Sequence, residues 1–434
     1  MTRLAWRRTA IGVAVAGLTV VAVLFNKPAS PAPPKTYRHG VVDRPGYSSN
    51  GTLEEPGNDD IAEVRRALAA RARAVLSGDR AAFLQVVDTD RGRFLADQRT
   101  VWRNTQQLPF ATLSYTYEGI VEPDDPLHTP SFLVRVATTY QLKGFDSSPL
   151  QVEDGFTFVR QGGAWKLAGV SDADGQFSQK ALPVPWDGSA IDAYGDGDYL
   201  AVVDRGRLAL AHHLVSLCHR AATASGDLLG VTDDRPTVVL ATSGSRGFRS
   251  FTGPDAAAVA YPVTTADGRA SGWRVKLNPG YVDRVVADPV VLTHELTHLA
   301  MQTYLPFLPT WLTEGSAEYV GWHSVGGLRS ALVARGYHSR RTLPPRLPIS
   351  AAYYLQGVQR NYLQGQALVT WIAEHRGSQA LLTLFRDFTD AGAGRTSYDA
   401  DVAQTRILHR VLGMTPQQLS RAAYAELVAQ VSPA

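Results

Sequence analysis

The sequence predicts an α+β protein: an amino-terminal membrane anchor or export signal, a domain of helices and a curved antiparallel sheet, and then a mainly helical domain with a small mixed sheet. Three observations lead there. An uncharged apolar run follows a cluster of arginines at the start of the chain. Period-two alternation of apolar and polar residues recurs between about 111 and 170, and helical spacing of apolar residues dominates from about 205 onwards. At 434 residues, 44% hydrophobic and 19% charged, the chain has enough apolar side chains for the cores of two such domains. The formal charge of +3 is scattered, with no basic stripe interleaved with aromatics, so a nucleic-acid partner is not expected.

Arg3, Arg7 and Arg8 precede an uncharged run from Ala10 to Phe25, the order of a positive and then an apolar segment in an export signal. The run of 16 residues is slightly shorter than the usual span of about 20, and Thr9 and its neighbours can extend it. NKPASPAPP follows, Pro-rich and extended, as a stalk or a cleavage region. No small-x-small cleavage site stands directly after the run. Residues 1–35 are therefore expected to be a single-pass anchor and stalk, with the arginines inside and the rest of the chain outside the cell membrane. Secretion after cleavage is the alternative. A Gly-, Pro- and Asp-rich linker occupies 36–57. The single cysteine, Cys218, rules out an intrachain disulfide, and its setting, LVSLCHR, reads as a buried small hydrophobe.

Over 58–180, Ile61, Val64, Leu68 and Val75 mark a helix, Gly78 and Asp79 interrupt it, and a second short helix follows. ATLSYTYEGI, SFLVRVATTYQL and GFTFVRQGGAWKLAGV carry the alternation of half-buried antiparallel strands, with a hairpin turn at Gln161 to Gly163. Helices leading into a curved sheet resemble the cone-shaped nuclear transport factor 2-like fold. That likeness is one of pattern, without a chemical motif, and implies a packing or substrate-positioning domain.

ALPVPWDG marks the boundary to a second domain over 181–434. Its expected elements are a long helix from Arg205 to Leu229, strands in RPTVVLATS, AAAVAYPVTT and SGWRVKLNPGYV, and a helix capped by Asp288 with Pro289 in its first position. That helix carries HELTH. His294 and His298, four apart, share one face, and Glu295 lies about 100° round, the pattern of two metal ligands and a general base. Beyond the helix-ending Pro306 and Pro309 comes WLTEGSAEYV, whose glutamate, Glu314, is separated from His298 by fifteen residues. Glu314 would complete a two-histidine, one-glutamate set with a fourth position open. Glu318, one turn further, competes for that role or serves as a partner to a ligand histidine, and spacing alone does not choose.

HELTH followed by WLTEGSAEY resembles the gluzincin metallopeptidases, in particular the peptidase MA-like group related to the zinc aminopeptidases, over roughly 288–384. The resemblance implies one Zn2+ per chain held by His294, His298 and Glu314, with Glu295 as general base acting on a peptide or protein substrate. It also implies a carbonyl-polarising tyrosine three residues before a glycine that opens a helix. NYLQGQALVTWI offers Tyr362, preferred because a helical stretch follows Gly365 directly, while the same tetrad at 354–357 leaves Tyr354 as the alternative. The aminopeptidase strand G-x-M-E-N, which binds a free amino terminus, is absent, which favours cleavage within a chain. An extended substrate would pair with an edge strand expected near Trp273 to Lys276. The other reading of the motif is a module of the same fold that binds zinc or peptide without turnover. The intact base and ligand set argue against it. The sequence carries no signal for an oligomeric state.

Overall fold

The computed structural model describes residues 57–121, 131–171, 184–187, 189–232, 235–243, 257–287, 289–335, 347–355, 357–392 and 397–431. The expected anchor and stalk, nearly all of the linker, and Asp288 lie outside them. Among the described residues no helix is long and apolar enough to cross a membrane.

Helix α1 (Asn58–Ser77) starts where the Asp60 carboxylate accepts the Gly57 amide at 3.0 Å, and it stops at Gly78, whose φ of 71° closes the last turn. Asp79 then caps α2 (Arg80–Gln85) by accepting the Ala82 amide. A third helix, α3 (Gly92–Thr105), was not expected. Gln98, Asn104 and Thr105 take three of its five buried positions, so its inner face lacks the apolar periodicity that marks a helix in sequence.

Strands β1 (Phe110–Val121), β2 (Ser131–Leu142), β3 (Leu150–Gln161) and β4 (Ala164–Ser171) form an antiparallel meander in sequence order. Gly162 and Gly163 both take positive φ, 58° and 82°, which a two-residue hairpin turn with the right twist demands. Register shifts at Phe110/Thr112 and Tyr117/Gly119 of β1 bend the sheet around α1. Val64 and Leu68 of that helix pack on Val134, Val136, Phe156 and Phe158.

A second sheet comprises β5 (Ile191–Gly195), β6 (Tyr199–Asp204), β7 (Thr237–Ala241), β8 (Ala258–Thr264) and β9 (Ala270–Leu277), in the order β5-β6-β7-β9-β8. β6, β7 and β9 run parallel, with β5 and β8 antiparallel on the flanks. Helix α4 (Leu208–Leu229) crosses from β6 to β7. The β5–β6 hairpin was not expected. Its Asp- and Gly-rich turn reads as loop, yet Asp196 organises it by accepting the Asp198 and Tyr199 amides. The expected edge near Trp273 to Lys276 is corrected as well: these residues lie in β9, paired on both sides, and β8 is the edge.

Both faces of the sheet are covered, which explains the unbroken apolar runs in β6 and β7. Ala201, Val203, Val239 and Val275 face α4 and the HELTH helix. Leu200, Val202, Val238 and Leu240 share a core with Val75, Trp102, Leu142 and Trp186 from the other side. The core thus runs across the boundary drawn near residue 181. Polar contacts lock the same junction. Arg274 Nη2 meets Asp146 Oδ1 at 2.6 Å with both side chains nearly inaccessible, Asn104 accepts the Ile191 amide, and Asn104 donates to the Trp186 carbonyl.

The carboxy-terminal part is mostly helical: α5 (Val282–Ala287), α6 (Val290–Ala300), α7 (Thr310–His323), α8 (Gly327–Ala334), α9 (Val358–Arg376), α10 (Ser378–Gly392), α11 (Ser397–Leu412) and α12 (Pro416–Val431). Thr415 and Gln418 cap α12 reciprocally, with Pro416 in its first position.

Replacing Asp146 by alanine leaves the Arg274 charge buried without its partner, and such losses cost about 3–5 kcal/mol. Because the two sheets share a core, urea titration followed by circular dichroism and tryptophan fluorescence should show one coincident transition shifted to lower denaturant. Two separate transitions would count against a common core.

Candidate metal centre

Helix α6 begins at Val290, with the Pro289 carbonyl accepting the Thr293 amide at 3.0 Å. Leu292, Leu296 and Leu299 bind it to the sheet, which leaves the His294/His298 face for α7. After Ala300 the chain turns through a short 3-10 helix, Leu305–Phe307, and α7 starts directly behind Pro309. Glycines set how closely the helices approach. A Cβ on Gly321 would stand 3.1 Å from the Val290 carbonyl oxygen, and one on Gly315 only 2.3 Å from that of Gly365 in α9. Gly365 therefore lies inside α9, at a helix crossing, and does not open a helix.

This packing brings three ligand atoms together. His294 Nε2 and His298 Nε2 are 3.0 Å apart, and Glu314 Oε2 lies 3.3 Å from the first and 3.5 Å from the second. Zinc bonds of about 2.0–2.2 Å at tetrahedral angles place ligand atoms about 3.3–3.5 Å apart, so the triangle fits one face of such a shell. Glu314 Oε2 is buried and accepts no hydrogen bond, as an oxygen reserved for a cation would. The His/Glu group is thus positioned to hold a metal ion.

Glu318 is placed differently. Its Oε2 accepts from Trp322 Nε1 at 2.8 Å and Arg335 Nη2 at 2.6 Å, while Oε1 stands 3.3 Å from His294 Nδ1. It supports the histidine from behind, on the side away from Glu314. Glu295 is buried beside the group, and its Oε2 accepts the Ala260 amide of β8 at 3.0 Å.

Electrostatics follow from this crowding. Burial alone would depress His294, but hydrogen bonds and charges from Glu314 and Glu318 outweigh it and raise the imidazole to about 10. Burial would raise Glu314, yet the His298 charge and hydrogen bonds from both histidines hold it below the usual carboxylate range. For Glu295 burial prevails, reinforced by Glu314, over the opposing charges of His294 and His298, and its carboxyl is raised.

Two tyrosines close the other side. The Tyr354 hydroxyl donates to Glu314 Oε1, a contact that sequence spacing did not reveal. The Tyr362 ring lies 6.0 Å from that of His294, and its hydroxyl makes no hydrogen bond to a described residue. Burial first, then Glu314, push both hydroxyls above the ordinary tyrosine range, so they remain donors. The ground for preferring Tyr362 is corrected: α9 opens after Gly357, three residues beyond Tyr354, with φ of 62°. What distinguishes Tyr362 is its uncommitted hydroxyl. Trp322, Arg335 and Gln359 had no signal in the sequence beyond the i, i+4 spacing of Glu318 and Trp322.

Elsewhere, His212 stacks on Tyr194, and Cys218 is fully buried, its thiol pushed up by burial. The chain matches no protein-family model, no curated protein and no solved structure.

In chelator-treated protein, the raised His294 contributes stability that is complete below its ordinary 6.5 and is lost as pH rises through about 10. The lowered Glu314 contributes above its ordinary 4.5, and that share is lost as pH falls. Melting temperature of the chelated chain should therefore decline between pH 6.5 and 10, while a zinc-loaded sample, with the ion in place of the proton, declines less. Parallel curves would contradict the coupling.

Proposed function

We propose that this chain is a zinc-dependent endopeptidase that holds one Zn2+ through His294, His298 and Glu314. The observation that carries this reading is the triangle of 3.0, 3.3 and 3.5 Å between two imidazole nitrogens and a carboxylate oxygen, with Glu295 beside it. Three protein ligands leave an open coordination position, the mark of a catalytic site. The same donors on one face also suit ferrous iron. A buried carboxylate placed as a base favours hydrolysis.

A zinc ion held by His294, His298 and Glu314 would supply Lewis acidity, lowering the pKa of a water molecule towards about 7 and polarising a carbonyl. Glu295 would take the proton from the attacking water and deliver it to the departing amine, with Oε2 fixed by the Ala260 amide and Oε1 left for the transfer by the described residues. Tyr362 would donate to the carbonyl oxygen as negative charge grows there, a contact that accelerates the reaction only if it strengthens in the transition state. Tyr354 would orient Glu314.

The edge strand β8 supports substrate binding by strand addition. The Ala260 amide points away from β9 to reach Glu295, so by alternation Ala258 and Pro262 also turn their backbones away from β9. Pro262 has no N–H and that of Ala260 is engaged. The edge therefore offers chiefly carbonyl oxygens, and the substrate must bring the donors. No acidic side chain lies on β8 to bind a free amino terminus, and the strand continues to both sides of Ala260, which favours cleavage within a chain.

Elemental analysis of the chain from residue 36 onwards tests the centre. About one zinc per chain is expected, lost in Glu314→Ala and retained, though more weakly, in Glu318→Ala. A protein that takes up no zinc at micromolar concentration, or that purifies with iron, overturns the assignment. For the chemistry, Glu295→Gln should keep its zinc while kcat on a peptide library falls about 10²–10⁴-fold. Tyr362→Phe should lower kcat by about 10²–10³-fold at nearly unchanged KM. Full activity of E295Q would remove the base from the mechanism.

A further inference from the structure

We propose that Arg335 is a positioning residue for the metal centre: together with the Trp322 indole it pins Glu318 Oε2, so that only Oε1 is left to hold His294 Nδ1 and His294 Nε2 is presented to the ion. The inference rests on the metal site proposed above.

Glu318 lies one helical turn from Glu314, and a glutamate side chain is long enough to swing between a histidine and an ion beside it. Two donors oppose that swing. Arg335 Nη2 at 2.6 Å makes a charge-assisted bond, the stronger kind, and Trp322 Nε1 adds a second at 2.8 Å. Arg335 is itself fixed from two further directions. Its Nε donates to Gln359 Oε1 at 2.8 Å, and its guanidinium lies 5.3 Å above the Trp322 ring, with only 13% of the side chain exposed. One side chain thus ties α7, the end of α8 and the start of α9 to the carboxylate behind a ligand.

Two features make this contact matter more than an ordinary outer contact. Among the described residues His298 Nδ1 is buried without an acceptor, so there the histidine pair is oriented from the His294 side. Charge also has to balance in a buried centre. Glu295, Glu314 and Glu318 bring three negative charges when ionised, and a divalent cation with Arg335 brings three positive ones. Without Arg335, Glu318 Oε2 is held by the Trp322 indole alone and the centre carries an uncompensated charge.

The test is zinc affinity, measured on the full chain by competition with a chromophoric chelator. Arg335→Gln is expected to weaken zinc binding about 10–100-fold. Arg335→Lys, which keeps the charge but loses one hydrogen bond, should fall between the two. Because the effect passes through Glu318, R335Q should add nothing further in a Glu318→Gln background. If R335Q does not fold, R335K carries the same comparison, and its smaller weakening must vanish in that background. Zinc affinity equal to the parent's, or a loss that is the same in both backgrounds, overturns the proposal and leaves Arg335 as a helix tie. A parent chain that binds no zinc overturns the metal site and this inference together.

Discussion

Glu314 reaches the two histidines only because α7 lies almost in backbone contact with both neighbouring helices. Gly321 admits the Val290 carbonyl on one side, and Gly315 admits the Gly365 carbonyl on the other. Both contacts are backbone against a missing Cβ, so neither can be relieved by a side-chain movement. Moving α7 outward by even a methyl radius would draw Glu314 Oε2 away from the histidine nitrogens, whose spacing is fixed by one turn of α6. The other features of the centre presuppose this approach. Glu318 stands behind His294 because it follows Glu314 by one turn, and Tyr354, in the turn just before the helix that Gly365 allows to come close, meets Glu314 Oε1.

The sheet gives α6 its fixed frame. Leu292, Leu296 and Leu299 anchor one helical face on β-strands whose opposite face is covered by the amino-terminal domain. A sheet buried on both faces holds its position more firmly than a solvated one, and the Arg274–Asp146 pair joins the two layers at a point without access to water. The amino-terminal domain thus packs behind the sheet that carries the centre, and the edge strand β8 is held by the same scaffold. The Ala260 amide joins that edge to Glu295, so the strand and the Glu295 carboxylate are coupled by one hydrogen bond.

The polar groups divide into those that converge on one point and those that hold them there. Glu314, His294 and His298 aim single atoms at one another, an arrangement that is costly among buried groups unless a proton or a cation lies between them. Trp322 and Arg335 instead donate to Glu318 around that point, and Tyr354 donates to the second oxygen of Glu314. Their geometry is specific because each oxygen of the two glutamates has its own task.

Local patterns were legible in the sequence because they depend on neighbours along the chain. Four-residue spacing put His294 and His298 on one face, alternation marked β1 to β4, two glycines marked the β3–β4 turn, and Thr415 with Pro416 marked the start of α12. Helix α3 escaped because its buried face is largely polar, and the β5–β6 hairpin because its turn residues resemble a loop. Strand order, the role of each glutamate oxygen and the partners of each tyrosine were decided only by tertiary structure. β9 looked like an edge but gained neighbours on both sides, since pairing is chosen across the sheet and not within a strand. Glu314 and Glu318 share a helical face, and what separates them is Trp322 and Arg335, donors that reach only one of the two carboxylates. Sequence by itself determined which groups are available for chemistry. Their division of labour came from contacts between residues far apart in the chain, whose distances no local periodicity encodes.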